Sequence, residues 1–150
     1  MTLVHVVLGS LVIVLFAAAG VLGTWRWYRV EQSVLFWRLL RPAQVLVVVE
    51  AALGGVLLLA GRRPDGNLHY VYGLLPIAVS FVAEQLRIAA AETVLEARGI
   101  PDAKAVGELP EREQRSVVVA ILRRELGVMA LASLIIAGLV LRAALGHGGV

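Results

Sequence analysis

The sequence predicts an all-α integral membrane protein: one domain, residues 1–150, in which four transmembrane helices form an antiparallel bundle and the third and fourth extend into the cytoplasm. Three observations predict this. Four long apolar runs are separated by segments with turn or interface chemistry. Hydrophobic residues make up 59% of the 150-residue chain and charged residues 17%, with a mean hydropathy of +0.84, so there is too little polar surface to cover a soluble globule of this size. Finally, Lys and Arg gather at alternate ends of the runs. The hairpin of residues 42–84 organises the rest. Residues 42–60 are long enough, at about 1.5 Å per residue, to cross a hydrocarbon core of about 30 Å. The turn sequence Gly61-Arg62-Arg63-Pro64-Asp65-Gly66-Asn67 then reverses the chain.

The first helix spans about residues 3–24. Ala17 and Ala19 give a small-x-small spacing near its end, as in a signal peptide. The positive charge such a peptide needs before its apolar stretch first arrives after it, at Arg26, so the helix is read as retained. Trp25, Trp27, Tyr28 and Arg29 follow as an aromatic and basic interface. The second helix spans about residues 33–60, with Ser33 as a plausible N-cap, a bend near Pro42, and Arg38 and Arg41 able to reach headgroups. A separate interfacial helix over residues 33–40 is the competing reading. The third spans about residues 68–98 and stops at Gly99. At roughly 45 Å, about a third of its length must project beyond the hydrocarbon. Residues 99–109 form a loop, and the fourth helix spans about residues 110–145, opening on Pro110 with Glu111 and Glu113 in its first turn.

Orientation follows from the cations. One side carries Arg26, Arg29, Arg38, Arg41, Arg87, Arg98, Lys104, Arg112, Arg115, Arg123 and Arg124; the other has Arg62, Arg63 and Arg142. Both termini are therefore expected outside, in a prokaryotic cytoplasmic membrane. The pI near 10.0 reads as positive-inside anchoring in the lipid bilayer rather than as nucleic-acid binding. The chain has no cysteine, which excludes disulfides, thiolate chemistry and Cys-ligated metal. No Walker loop, zincin, EF-hand or Ser-His-Asp order is present.

The polar residues inside the runs are the candidate site. The first and third helices run in the same direction, and each carries a histidine near its start followed one turn later by glycine: His5 to Gly9 and His69 to Gly73. The two histidines should lie level, with the glycines relieving bulk on the same faces. That suits a flat ligand between helices. Close helix packing and interfacial hydrogen bonding are the plainer reading. Glu50 falls near the middle of its run, where a carboxyl costs about 2.5–3.5 kcal/mol unless neutral or paired. Counting from the outer ends puts Ser80 and Ser133 at its depth as hydrogen-bond partners. The same counting sets Gln44 opposite Glu84 with Arg41 and Arg87 nearby, and Glu92 opposite Arg123.

The order His5-x-x-x-Gly9, then Glu50-Ala51-Ala52-Leu53-Gly54-Gly55, then a short outer loop and His69 resembles part of the heme A synthase family over roughly residues 5–75. Members of that family bind haem in four-helix units through histidines at the outer ends of two parallel helices, often with a Gln-x-x-Leu-Gly motif between them. Thr2 stands where the family's catalytic site has a glutamate three residues before the histidine, and Glu50 stands in place of Gln. The resemblance therefore implies haem binding and not oxidation of a haem methyl group. It implies b-type haem with His5 and His69 as axial ligands, Gly9 and Gly73 leaving room, Arg62, Arg63 or Arg142 meeting the propionates, and Tyr70 and Tyr72 lining the rim. Electron transfer with a membrane partner protein or a quinone is the function expected, without a named enzymatic activity. The alternatives are a non-enzymatic scaffold or accessory subunit and a carrier for a proton or small hydrophobic molecule centred on Glu50. The scaffold would pack through small-residue faces such as Ala51 with Gly55 and Ser133 with Ala137, against a second copy or a larger complex.

Overall fold

A computed structural model of the chain describes residues 2–62 and 68–145. Four helices in it are long and apolar enough to cross a membrane: α1 (Thr2–Arg29), α2 (Val34–Leu59), α3 (Leu68–Ala97) and α5 (Glu111–Leu145). A fifth, α4 (Ala103–Gly107), is a short turn of helix in the segment that sequence alone marks as loop. It forms because Asp102 caps it, its carboxylate accepting from the backbone N–H of Ala105 at 2.8 Å. No strand occurs among the described residues.

The helix ends follow from local chemistry. Ser33 caps α2, its hydroxyl accepting from the N–H of Phe36, and Glu31 braces the turn from α1 by pairing with Arg26 and, at 3.6 Å, with Arg29. α2 runs unbroken from Val34 through Pro42, so residues 34–40 belong to it and do not form a separate interfacial helix. Gly99 ends α3 with φ +66°, which lets the N–H of Ile100 reach back to the carbonyl of Leu95 at 3.0 Å. The carbonyl of Pro110 accepts from Glu113 and Gln114 to start α5. The α1 terminus is different. Val30 adopts φ +56° so that the N–H of Glu31 can close on the carbonyl of Arg26 at 3.0 Å. A β-branched residue is strained in that conformation.

α5 is the main packing partner of both α1 and α3, α2 lies on α1, and α2 meets α3 only sparsely. The pairing register is read at the glycines. A Cβ on Gly9 would touch Glu50 and one on Gly23 would touch Phe36, while Gly20 lies against Leu134 and Gly127 against Trp27. The shared core contains Val12 and Phe16 of α1, Phe36, Leu40 and Val47 of α2, Ala83 of α3, and Leu126, Met129 and Ile136 of α5. The outward faces are apolar as well: Leu3, Val14, Val45, Phe81 and Leu131 are all more than half exposed. Helices apolar on both faces fit a lipid surround and not water, and the chain is an integral membrane protein.

Candidate functional site

The site lies at the end of the bundle where α1 starts and α2 finishes, the histidine end. His5 is one turn into α1 and His69 is the second residue of α3. Their ring centroids are 6.2 Å apart with 61° between planes, so the two residues that sequence spacing sets level do come together. His69 is also edge-on to Tyr70 at 6.4 Å.

Glu50 is where the structure departs from expectation. Its carboxyl does not meet a serine hydroxyl. Glu50 Oε1 lies 2.9 Å from His5 Nδ1, with both side chains largely buried, 12% and 23% exposed. Ser133 is buried, and its hydroxyl donates to the carbonyl of Met129 in its own helix at 2.7 Å; the buried hydroxyl of Ser80 has no hydrogen-bond partner among the described residues. Counting from helix ends fails here because the ends are not level: Gly54 of α2 already lies against His5, so Glu50 sits only about one turn deeper than the histidines and not at the depth of Ser80. Glu50 is level with Gly9, and its side chain reaches one turn further toward the histidine end. A signal for this pairing was present: an ionisable group in an apolar run seeks an ionisable partner, and His5 is one turn from the glycine opposite.

The glycines divide in role. The space at Gly9, expected for a flat ligand, is filled by the Glu50 carboxyl, since a Cβ there would sit 3.0 Å from Oε1. At Gly73 and Gly55 a Cβ would meet nothing within 4 Å, and Gly55 is exposed. Gly54 lies against the ring of His5, 3.7 Å from Cε1. The scaffold face that pairs Ser133 with Ala137 is used internally, both being buried, whereas Gly55 is open. Arg142 lies over the ring of Tyr72 at 5.7 Å, which brings one of the expected propionate cations beside a rim tyrosine. Arg62 is exposed just beyond α2, and Arg63 lies outside the described residues.

The opposite end of α2 and α3 carries the other polar cluster, and here sequence counting succeeds. Glu84 accepts from Arg41 at 2.5 Å, from Gln44 at 2.9 Å and from Arg87 at 2.8 Å. Trp37 receives the guanidinium groups of Arg41 and Arg87 at 5.1 and 5.9 Å. Arg123, expected opposite Glu92, instead stacks over Trp27 at 5.5 Å.

Chemically, the histidine end offers two imidazoles with one ring nitrogen of His5 engaged by a carboxylate. A carboxylate 2.9 Å from Nδ1 favours a proton on that nitrogen, which leaves Nε2 to act as a base or ligand. No group of three or more His, Cys, Asp or Glu side chains is poised as a metal cage among the described residues. Comparison with protein-family models, with curated proteins and with solved structures found no match.

Proposed function

We propose that this integral membrane protein binds b-type haem through His5 and His69 near its outer face and serves in electron transfer. In this reading the four spans are antiparallel, both termini lie outside, and the far ends of α3 and α5 project into the cytoplasm, as the cation distribution favours. The observation that carries the proposal is the placement of the two rings. The ring centroids are 6.2 Å apart, close enough that His5 and His69 would hold one haem iron between them.

The Glu50 contact supports the same reading. Metal-bound histidines usually donate their other ring N–H to a carboxylate or carbonyl, and Glu50 is set to take it from His5. In accepting that proton's hydrogen bond, Glu50 orients the ring and makes Nε2 a stronger donor. Gly73 and Gly55 present no side chain beside the histidine end, which would leave room for a flat apolar ligand, and Arg142 and Arg62 are the described cations that would meet its propionates at the surface. Bound haem supplies one-electron exchange, and with both axial positions filled by protein it passes electrons more readily than it binds oxygen. A membrane partner protein or a quinone is the matching redox partner.

The test is optical. Protein purified from haem-replete cells should show a Soret band that is lost in both His5→Ala and His69→Ala. Colourless protein that gives no spectral change on adding hemin would remove the haem reading. The scaffold and carrier readings would then stand, with the His5–Glu50 pair the residues to test for proton exchange.

A further inference from the structure

A groove of about 840 Å³ lies at the opposite end of the bundle, over one face of α5 and between the last turns of α1 and α3. Its volume is within the roughly 300–1,000 Å³ of ligand sites. Its lining is polarised along its length. Arg98, Arg123 and Arg124 stand toward one end, no acidic residue lines it, and beyond Gly127 the floor becomes Leu131 and Leu134, 61% and 38% exposed.

The cations are held ready. Arg98 donates to the hydroxyl and the carbonyl of Ser116 at 3.1 and 3.4 Å. Arg123 lies over the Trp27 ring, a contact that fixes the plane of a guanidinium and leaves its N–H edge able to bind an anion. Arg124 makes no ion pair among the described residues. Gly127 has its own reason to lack a side chain: the indole nitrogen of Trp27 sits 2.6 Å from where a Cβ would be, so the ring is drawn down onto α5 as a side wall.

We infer that this groove binds one anionic phospholipid, its phosphate at Arg123 and Arg124 and an acyl chain over Leu131 and Leu134. Charge and polarity together select this occupant. A free anion would leave the apolar floor uncovered. An extended peptide lying over Leu131 would carry unsatisfied backbone groups into hydrocarbon. Basic pockets between helices at the cytoplasmic end of a bundle suit anionic headgroups. The inference does not use His5, Glu50 or His69, and it stands or falls apart from the haem reading.

Native mass spectrometry of the full chain released from detergent tests it, with phosphatidylglycerol, phosphatidylcholine and glycerol phosphate as probes. One phosphatidylglycerol should be retained about tenfold or more tightly than phosphatidylcholine. The double variant Arg123→Gln/Arg124→Gln should weaken it by about 25-fold, each cation being worth about a factor of five. Leu131→Trp, at a position too exposed to disturb the core, should block the lipid while leaving every cation in place. Equal retention of the two lipids, or indifference to both changes, would overturn the inference. So would glycerol phosphate competing as well as the intact lipid, or variants that alter only the self-association of the chain, which would make the groove an interface between copies.

Discussion

The two ends of the α2–α3 pair use similar side chains to opposite effect. At one end Glu84 is surrounded by Arg41, Gln44 and Arg87, and Trp37 is covered by two guanidinium groups. Every strong donor there faces an acceptor, and this cluster ties α2 to α3. At the other end Glu50 meets only His5 among the described ion pairs, two imidazoles lie near contact, and a Cβ at Gly73 or Gly55 would meet nothing within 4 Å, whereas Gly9 and Gly54 lie against Glu50 and His5. A carboxylate satisfied on several sides is a fastener. One that holds a single imidazole orients that ring for something else. Residue type does not separate the two cases; the surroundings do.

This contrast can be broken or sharpened by substitution. The largest stability effect is expected away from both clusters, where the packing is tightest. In Gly23→Ala the new Cβ would lie 2.6 Å from the Phe36 ring and 2.8 Å from Ala130, and overpacking of this kind costs about 1–3 kcal/mol. Thermal unfolding in detergent should show the loss. The matching change at the histidine end, Gly73→Ala, should not lower the unfolding temperature, because its Cβ meets nothing and alanine favours the helix, yet it should lower haem uptake by adding a methyl one turn from His69. An equal stability loss at both glycines would erase the distinction between a closed and an open end.

Glu50→Gln comes next. The amide keeps an acceptor for His5 but loses the charge, so helix content and unfolding should change little while haem retention falls about 10–100-fold, the usual scale for an outer-shell partner of a ligating histidine. The measurement is the rate of haem transfer to apomyoglobin. Glu84→Gln should act the other way, costing about 1 kcal/mol of stability without touching the Soret band. The smallest effect is a gain. Val30→Gly removes a β-branched residue from φ +56° and should stabilise the chain by about 1 kcal/mol.

Much of this was legible before the structure. The apolar runs, the cap at Ser33, the stop at Gly99 and the Glu84 cluster each rest on local chemistry or on helical periodicity, which sequence carries directly. The level placement of His5 and His69 follows from their similar distances from the starts of two like-directed helices. What could not be read was how far a side chain reaches along its neighbour. The Glu50 partner is not legible because α2 runs past the start of α1, which puts Gly54 beside His5 and Glu50 beside Gly9, and Gly9 makes room for that carboxyl and not for a ligand. Arg123 likewise found an aromatic face where counting offered Glu92. The helical turn at Ala103–Gly107 was hidden by its flanking Pro101 and Gly99, although Asp102 was a cap in plain view.

One feature of the packing bears on how the molecule is made. α5 supplies the principal contacts for both α1 and α3, yet it is the last of the described helices to leave the ribosome. Until it is inserted, α1 and α2 have each other to pack on, while α3, which meets α2 only sparsely, lacks its main partner. Assembly is thus completed from the carboxyl-terminal side, and a chain stopped before Leu126 would leave three inserted helices without a common partner, a natural substrate for membrane quality control.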